Sequence, residues 1–583
     1  MSGSSASGRV PPATSLIRRA RTPSRNPRGA SPLRPGASVR DAALDVLRTL
    51  GSTAIFANPG STEVPLLTNL PESFRFVLGL HEGAVVGMAT GWAIARDSPA
   101  LVILHTTAGL GNAVGALATA RVNRAPLVVL VGQQDRRHLA FEPFLAGSRL
   151  DLLGGDYPVW VDQPVRPQDV PGALARAHQE AEAGGGPAVV IVPMDDWEAP
   201  RDRSAGVPAP DRVFRAREAP PEAIAALASL VEEARDPAIV VGAGADDRGT
   251  WSVLVALAER LGSPVWQEAF GARAGFPQDH RLFAGHLPAG RSALRDALAR
   301  HDLVVAVGAP AFRQYAYEPG RFLDEDTRVA VVTEHAEEAH RSPADVAVVA
   351  SPRAVCAALL RRVEARDAAP LAPAERAPAP FRPAAGEPLR AGHVLAAIAE
   401  RLPEDAIVVE ETPSSRAELH ARIPARQPLG FVSAAMGGLG FAMPAAIGLR
   451  MALPERPVLA VVGDGSSLYA IQSLWSAARY GIGALFVVLS NGGYAIMDQL
   501  AARQGGAGPW PDLDDIDVCL LARGLACDAR RVHRYEDLLE ALDSLLPTLA
   551  GRRTPLVLDV STVACHRSPS AATATVPGAS APA

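Results

Sequence analysis

Two glycine turns in the last third of the chain carry oxygen atoms suited to a hard metal ion. They lie in VVGDGSSLYAIQSLWSAARYGIGALFVVLSNGGY, where Asp464 and Asn491 each follow an apolar run. A carboxylate, a carboxamide and the backbone carbonyl of Gly493 are hard donors, which suit Mg²⁺ or Ca²⁺. If the two runs are neighbouring strands, these donors lie at the same edge of a sheet. The spacing therefore predicts a metal site.

The first of these turns also begins a helix-like segment. The backbone N–H groups of Gly465 and Ser466, with the helix dipole, would hold a diphosphate beside the metal. Short motifs give many false positives, and the alternative is two ordinary strand-to-helix turns in which Asp464 caps a helix. A second oxygen-bearing turn at matching depth, after the next apolar run, favours the metal–diphosphate site.

Apolar runs alternate with helical stretches along the chain and predict the elements that must position these residues. This pattern is typical of buried parallel strands joined by helices, whose ligands bind at the carboxyl ends of the strands. Proline- and alanine-rich linkers divide the chain into α/β blocks. The predicted blocks span 39–200, 217–366 and 387–566, and the segments 1–38 and 567–583 are predicted to be disordered.

The composition excludes several other kinds of chemistry. All 57 basic residues are arginine, so neither a lysine Schiff base nor a P-loop lysine is possible. The net charge of -5 gives no reason to expect a nucleic-acid partner, and no apolar run approaches the length of a membrane span. The 4 cysteines form no CxxC pair, which favours a reducing, cytoplasmic location without disulfides or zinc.

Several segments together resemble the thiamine diphosphate-dependent decarboxylases. The Gly-Asp-Gly turn and the later Asn turn resemble the diphosphate motif of that family, although Ser490 precedes Asn491 where the family usually has a second Asn. The first block contains FANPGSTEVPLL, LGLHEGAVVGMATGWAIAR, LVILHTTAGLGNAVGAL and APLVVLVGQQ, which resemble the pyrimidine-binding domain. Three further segments resemble the same family. They are GGLGFAMPAAIGLRMALPERPVLAVVGDGS in the third block, and FAGHLPAG and HDLVVAVGAPAFRQYAYEPGRFL in the central block. The resemblance spans 39–566 and is greatest to the benzoylformate decarboxylase branch.

This resemblance implies a fold, cofactors and partners. The fold is α/β, with three doubly wound parallel-sheet domains. In chain order these are a pyrimidine-binding domain, a central domain and a diphosphate-binding domain. The cofactors are thiamine diphosphate and Mg²⁺, with the metal held by Asp464, Asn491 and the carbonyl of Gly493. The substrate is a small 2-oxo acid. A homodimer or homotetramer with the cofactor at the subunit interface is also implied.

Two residues of the first block match the proton-handling positions of the family. Glu82 lies in a helix-like run of Gly, Ala, Val and Met. By the resemblance, Glu82 would share a proton with the pyrimidine ring and so promote loss of the C2 proton of the thiazolium. The alternative is a helix-face glutamate paired with an arginine. His105 follows an apolar run and could donate a proton to the oxygen formed from a ketone, or it could be a buried structural donor.

Other matched residues would contact the cofactor or the substrate. Ser61 could hydrogen-bond a substrate carboxylate, or it could cap the helix after the Pro-Gly turn. By the resemblance, Pro59 lines the pyrimidine site, Ser414 contacts the diphosphate and the Gly437 carbonyl receives the amino group of the pyrimidine. Leu439 matches the apolar residue wedged beneath the cofactor, and its alternative role is core packing.

The sequence also departs from the family. Tyr315 stands in place of a second catalytic histidine, and a tyrosine is a poor base at neutral pH. Ser433 and Leu500 replace aromatic residues of the pocket, and Ile496 replaces a smaller one. Pro413 replaces a hydroxyl residue beside the diphosphate. The pocket is therefore reshaped, and specificity for phenylglyoxylate is not expected to carry over.

These residues predict the decarboxylation of a 2-oxo acid to an aldehyde and CO₂. Alternative functions are an acetolactate synthase-like carboligase and, because of Tyr315, a cofactor-binding protein without turnover. The central block contains VVGAGA, but Gly242 and Gly244 are followed too late by Gly249 to complete GxGxxG. No FAD or NAD site is therefore expected.

Overall fold

The structure is a computed structural model. Its described residues form three six-stranded parallel sheets, each flanked by helices. The structure describes residues 37–202, 210, 213–366 and 381–563. The α/β architecture expected from the sequence is confirmed. Within the described residues, no helix combines the length and apolar character needed to cross a bilayer.

The predicted disordered tails lie largely outside the part of the chain that the structure describes. Of the segment 1–38, the described residues include Ala37 and Ser38 alone, and the segment 567–583 lies wholly outside. The Ser38 hydroxyl accepts the Asp41 N–H and caps the first helix. The prediction of disorder for both tails therefore stays a prediction.

The first domain carries its sheet between two helical layers. Its strands are β1 (Ala54–Asn58), β2 (Arg75–Leu78), β3 (Ala100–Leu104), β4 (Leu127–Gln133), β5 (Trp160–Asp162) and β6 (Pro187–Pro193). Its helices are α1 (Val39–Thr49), α2 (Val64–Leu67), α3 (Glu82–Arg96), α4 (Thr106–Val122), α5 (Leu150–Leu153) and α6 (Val170–Gly184). Every residue of β3, β4 and β6 is buried, as expected where helices cover both faces of a parallel sheet.

The central domain has the same layers with a different strand order. Its strands are β7 (Pro237–Val241), β8 (Val265–Gln267), β9 (Phe283–His286), β10 (Leu303–Val307), β11 (Arg328–Thr333) and β12 (Val346–Val349). Its helices are α7 (Pro221–Glu233), α8 (Arg248–Leu261), α9 (Arg291–Leu298), α10 (Ala336–Arg341) and α11 (Pro352–Arg362). The order across this sheet is β12-β11-β10-β7-β8-β9.

The third domain repeats the strand order of the first. Its strands are β13 (Ile407–Glu411), β14 (Phe431–Ser433), β15 (Val458–Gly463), β16 (Leu485–Ser490), β17 (Asp528–Val532) and β18 (Leu556–Ser561). Its helices are α12 (Ala391–Ala399), α13 (Arg416–Arg422), α14 (Ala442–Ala452), α15 (Asp464–Ser467), α16 (Ser473–Arg479), α17 (Ala495–Arg503), α18 (Val518–Gly524) and α19 (Tyr535–Leu545). The first sheet is ordered β2-β1-β3-β4-β6-β5 and the third β14-β13-β15-β16-β18-β17.

The first and third domains share one apolar core, although the central domain separates them in sequence. Helices α3 and α14 cross at glycines, because a Cβ on Gly91 would collide with the carbonyl of Ala445 and a Cβ on Gly448 with that of Met88. Side chains larger than hydrogen at these two positions would push the helices apart. The two domains are therefore fixed against each other at backbone-to-backbone distance.

Candidate active site

The third sheet brings the two predicted oxygen-bearing turns together. Strands β15 and β16 are parallel neighbours, with Gly463 opposite Leu489, so Asp464 and Asn491 leave the sheet at the same edge. The buried Asp464 carboxylate accepts the N–H of Gly465 at 2.8 Å and the N–H groups of Asn491 and Gly492 at 2.9 and 2.8 Å. The carboxylate therefore joins the two turns directly.

Burial raises the pKa of Asp464, and its N–H donors act in the opposite direction. Within the described residues, no cluster of three or more His, Cys, Asp or Glu side chains could hold a metal. A metal at this edge would therefore need amide and carbonyl oxygens besides the carboxylate. Asp464, Asn491 and Gly493 supply that mixed set, whose hard oxygens fit Mg²⁺.

A cavity of about 240 Å³ opens beside Asp464 and Asn491, with Asp514 and Arg531 also in its wall. Gly492 has a φ of 74°, and a Cβ there would collide with Asp514. Only glycine satisfies both conditions without strain. Glycine at this position therefore lets Asp514 pack directly against the turn at the mouth of the cavity.

Ser490, which departs from the family pattern, belongs to a buried polar network behind this turn. Its hydroxyl donates to Asp559 at 2.5 Å. Asp559 is fully buried and also accepts two bonds from Arg531, at 2.9 and 2.6 Å. The serine is thus satisfied within the protein, and Asn491 remains at the open side of the turn.

The helix expected after Asp464 is a single turn. Helix α15 ends at Ser467, and α16 begins only at Ser473. Gly465 and Ser466 are buried at the start of this turn, and Ser414 follows the neighbouring strand β13. A dipole this short is small, and the Gly465 N–H already donates to Asp464. An anion here would therefore depend on individual backbone N–H groups that the Asp464 carboxylate does not occupy.

The first sheet positions Glu82 between two amides. Helix α3 begins at Glu82, and the His81 ring accepts the Gly83 N–H as a cap. The buried carboxylate accepts one bond from Asn58 at 3.0 Å and one from Asn112 at 3.1 Å. Its partners are thus two asparagines, rather than the arginine considered as the alternative. Neither asparagine was predicted as a site residue from the sequence.

His105 contacts a buried carboxylate, Glu63, that was not predicted from the sequence. The ring Nδ1 lies 3.1 Å from Glu63 Oε2 and 3.0 Å from Thr62 Oγ1. Glu63 is almost fully buried and accepts the Gly60 N–H at 2.7 Å. A Cβ on Gly60 would collide with the imidazole. The NPGS turn thus brings its backbone and the next glutamate against His105.

The remaining residues of the first domain lie at the same edge. Pro59 and Ser61 directly follow β1, and Ser61 is exposed beside the Glu63–His105 pair. The Ser61 hydroxyl makes no capping bond, because Gly60 occupies the cap position. Strand β1 lies between β2 and β3, so the loops carrying Ser61, Glu82 and His105 leave neighbouring strands.

Three predicted residues are exposed or in exposed turns. Gly437 has a φ of 75°, and Leu439 next to it is partly exposed. Tyr315 is 71% exposed, with its ring 6.3 Å from that of Phe270. None of the contacts described for Tyr315 joins it to Glu82 or His105. The catalytic role of Tyr315 stays a prediction.

The first and third domains therefore present matching half-sites. Their loops follow equivalent strands, because Ser61 and His105 follow β1 and β3 while Ser414 and Asp464 follow β13 and β15. These strand pairs are the points where the strand order of each sheet reverses, the usual place for a ligand in doubly wound folds. One half carries proton-handling side chains and the other carries oxygen ligands with backbone N–H groups.

Three family descriptions match the three domains. The thiamine pyrophosphate enzyme N-terminal TPP binding domain matches residues 37–149, the central domain 224–359 and the C-terminal TPP binding domain 414–560. These matches define the class of thiamine pyrophosphate enzymes and support thiamine diphosphate with a divalent metal, typically Mg²⁺.

The chain is also similar to individual thiamine diphosphate-dependent enzymes. The chain is 38% identical to benzoylformate decarboxylase of Pseudomonas aeruginosa, with 90% of this chain and 99% of that protein covered. The solved 4-hydroxybenzoylformate decarboxylase of Rhodococcus jostii RHA1 is 35% identical with a TM-score of 0.86, over 90% of this chain and 99% of that one. The chain is also 29% identical to an acetolactate synthase large subunit of Parasynechococcus marenigrum, with 87% of this chain and 86% of that protein covered.

The chain belongs to the family of thiamine diphosphate-dependent decarboxylases that includes benzoylformate decarboxylase. It is an enzyme of this class. The resemblance stated from the sequence is therefore confirmed. The role of each site residue stays a prediction.

Proposed function

We propose that this enzyme catalyses the thiamine diphosphate- and Mg²⁺-dependent, non-oxidative decarboxylation of a 2-oxo acid to an aldehyde and CO₂. The observation that carries the proposal is the pair of half-sites, with Glu82 held by two amides at one edge and Asp464 joining two glycine turns at the other. The names of two of the relatives, both decarboxylases of benzoylformate type, support the same reaction.

The third domain would hold the charged end of the cofactor. Asp464, Asn491 and the carbonyl of Gly493 would bind Mg²⁺, since their oxygens are hard donors. The N–H groups near Gly465 and Ser466 would contact the diphosphate. When bound, thiamine diphosphate supplies a nucleophilic carbon and an electron sink for the loss of CO₂.

Other residues would orient the rings of the cofactor. Ser414 would add a hydroxyl contact to the diphosphate, and Pro59 would line the pyrimidine site. The Gly437 carbonyl would accept the amino group of the pyrimidine, while Leu439 would support the cofactor from below. The partial exposure of Leu439 leaves an apolar surface available for this contact.

Glu82 would control the proton on the pyrimidine. Its two oxygens are held separately by Asn58 and Asn112, so the carboxylate has one fixed orientation at the start of α3. Neutral amide donors orient the carboxylate without placing the full charge of an arginine beside it. This arrangement suits a group that must share a proton during turnover.

His105 and Ser61 would act on the substrate. Glu63 would accept a proton from Nδ1 of His105, 3.1 Å away, which would leave the other ring nitrogen to exchange protons with the substrate. Ser61, exposed at the same edge, would hydrogen-bond the substrate carboxylate. Tyr315 would donate a proton in place of the histidine that the family pattern has in that segment.

We propose a homodimer or homotetramer in which the pyrimidine domain of one subunit meets the diphosphate domain of another. The first domain exposes Phe141 and Phe144, at 83% and 87%, in the loop after β4. The third domain exposes Met436, Leu439 and Tyr469. Exposed apolar groups of this size at two ligand edges are typical of surfaces that another subunit covers.

The pocket residue Ser433 bears on which class of 2-oxo acid is the proposed substrate. Ser433, which replaces a pocket aromatic, is buried and donates to Glu410 at 2.9 Å, with Arg416 as a further partner. It therefore lies in a polar network rather than against an apolar ring. This difference supports a 2-oxo acid whose side chain differs from phenyl.

Carboligation is a second candidate, supported by the similarity to an acetolactate synthase large subunit. The same site would then pass the activated fragment to a second carbonyl compound instead of a proton. Such an enzyme would favour pyruvate and release a C–C coupled product. A protein that binds the cofactor without turnover would release no CO₂ from any 2-oxo acid.

One experiment separates these outcomes. The purified protein, loaded with thiamine diphosphate and Mg²⁺, is screened with aromatic and aliphatic 2-oxo acids for CO₂, aldehyde and acyloin. Glu82→Gln is expected to lower turnover by more than about 100-fold while cofactor binding remains, and the exposed Glu232→Gln is the matched control. Unchanged turnover in Glu82→Gln would overturn the assigned role of Glu82.

A further inference from the structure

Asn123 connects all three domains through one buried side chain and its own backbone. It ends α4 of the first domain and is fully buried. Its Oδ1 accepts the Ala435 N–H at 2.9 Å, and its Nδ2 donates to the Ser433 carbonyl at 2.9 Å. Its backbone carbonyl accepts a bond from Arg273 of the central domain at 3.1 Å.

The two side-chain bonds complete an open strand edge. Strand β14 is the outermost strand of the third sheet, so one side of its backbone has no ladder partner within that sheet. Ser433 and Ala435 present a carbonyl and an N–H on the side that faces Asn123. On this side the backbone of Arg273 already bridges Val432, and the Ser433 N–H donates to the Ala272 carbonyl at 2.8 Å. A carboxamide offers one donor and one acceptor in matching positions, so Asn123 continues this pairing past the end of the strand.

The residues that Asn123 holds lead directly into the turn 436–440, which we name the cofactor turn. This turn contains Gly437 and Leu439, the proposed contacts to the cofactor rings, and Gly437 and Gly440 have φ values of 75° and 89°. Met436 and Leu439 are both partly exposed. The side chains of the turn thus point outward, and its position depends on its two ends.

Both ends of the cofactor turn are anchored by buried side chains. At the far end, the Glu411 carboxylate accepts the N–H groups of Gly440, Phe441 and Ala442 at 2.7, 2.8 and 2.7 Å. At the near end, Asn123 holds the Ala435 N–H, as described above, and Arg313 of the central domain donates to the Ala435 carbonyl at 3.3 Å. Glu411 belongs to the same domain as the turn, whereas Asn123 comes from the first domain.

We propose that Asn123 is a positioning residue for the cofactor. It sets where the Gly437 carbonyl and Leu439 meet the cofactor rings, and it ties that position to the first domain of the same chain. This inference rests on the proposed function, because the contacts of Gly437 and Leu439 are part of it. Small displacements of a binding group are costly for orientation, so the loss of Asn123 would act on the bound cofactor and not on stability alone.

The test compares two changes from a buried amide to a carboxylate. Asn123→Asp replaces the donor facing the Ser433 carbonyl by an acceptor. Gln278→Glu is the matched control, because buried Gln278 of the central domain accepts the Ala425 N–H of the third domain at 2.9 Å, away from the cofactor turn. Apoprotein is titrated with thiamine diphosphate at fixed Mg²⁺, followed by tryptophan fluorescence and by the near-ultraviolet circular dichroism of the bound cofactor.

We expect Asn123→Asp to raise the Kd for thiamine diphosphate by about 10-fold or more and to change the dichroism of the bound cofactor. Gln278→Glu should lower the melting temperature but leave both readings as in the wild type. If Asn123→Asp does not fold, Asn123→Ser gives the same readings, because its short hydroxyl cannot reach both backbone groups.

An unchanged Kd and dichroism in the Asn123 variants, with a loss of thermal stability like that of Gln278→Glu, would overturn the positioning role alone. A wild-type protein that binds thiamine diphosphate but decarboxylates nothing would overturn the proposed reaction, and the cofactor readings would still judge Asn123. A wild-type protein that does not bind thiamine diphosphate would overturn both.

Discussion

The carboxyl edges of the central and third sheets both carry glycine turns after a buried strand, but they are filled differently. In the third domain the turns after β15 and β16 surround a cavity of about 240 Å³, with Asp464 bonded to backbone N–H groups. In the central domain the turn after β7 contains Gly242, Gly244 and a buried Asp246, whose carboxylate lies 3.3 Å from Arg273.

Side chains occupy the space that a ligand would need at the central edge. A Cβ on Gly242 would lie 2.5 Å from Glu268 Oε1, and one on Gly244 would lie 3.2 Å from Nη1 of Arg124. Arg124 comes from the first domain and pairs with Glu338. Glycine at a strand end therefore permits close approach by a ligand or by a neighbouring side chain, and the surrounding packing decides between them.

The largest effect is expected from Asp464→Ala, which removes the central group of the open edge. Metal assistance is worth several kcal/mol in transition-state stabilisation, so turnover should fall by about 1000-fold or more. Calorimetric titration should show weakened binding of both Mg²⁺ and thiamine diphosphate. Normal binding of both by Asp464→Ala would remove the proposed difference between the two edges.

Glu268→Gln tests the filled edge. Glu268 is buried, and its Oε2 lies 3.9 Å from Nε of Arg313. Removing its charge leaves Arg124 and Arg313 less compensated, and the unfolding free energy should fall by about 3 kcal/mol. Urea denaturation measures this loss, while the Kd for thiamine diphosphate should stay unchanged. A matching loss of cofactor affinity would show that the two edges are not independent.

Gly492→Ala should have a smaller effect on the open edge. The alanine would need a left-handed conformation and would collide with Asp514, at a cost of about 1–2 kcal/mol. Cofactor affinity should therefore fall by about 10-fold, as measured by fluorescence titration. Gly308→Ala is the control at the filled edge, where φ is 63° and a Cβ would lie 2.5 Å from the Ala245 nitrogen. It should reduce stability and spare cofactor affinity.

A pH dependence of stability is also expected at the filled edge. Burial raises the pKa of Asp246 to about 7, although Arg273 and the Leu429 N–H oppose the shift. A carboxyl whose pKa is raised in the folded state stabilises the fold at low pH and loses that contribution as pH rises through about 7. The urea midpoint should therefore be lower above pH 7 than below it. Asp246→Asn should flatten this difference, and an equal slope in both proteins would contradict the assignment.

The site residues that lie in short sequence motifs at the ends of strands could be predicted from the sequence. Apolar runs ending in glycine turns located Asp464 and Asn491 at one edge, and the family resemblance located Glu82 and His105 at another. Such signals work because a buried parallel strand and its following turn are encoded within a few consecutive residues.

Partners across the sheet edges could not be read from the sequence. Glu63 lies within the quoted NPGSTE segment, but its bond to His105 depends on how two loops meet after β1 and β3. The two asparagines on Glu82 come from β1 and α4. The filling of the central edge by Arg124 depends on the docking of a different domain. These contacts have no fixed spacing in sequence, so periodicity and motif arguments give no sign of them.

The crossing of α3 and α14 has a consequence for the order in which the chain is made. The apolar face of α3 leaves the ribosome early, yet the helix that covers it follows only after the whole central domain has been synthesised. Until then, a surface rich in glycine and alanine stays without its partner, and nascent chains are vulnerable to association in that interval. Binding by chaperones during synthesis is therefore expected to be concentrated on the α3 face and to end once α14 has emerged.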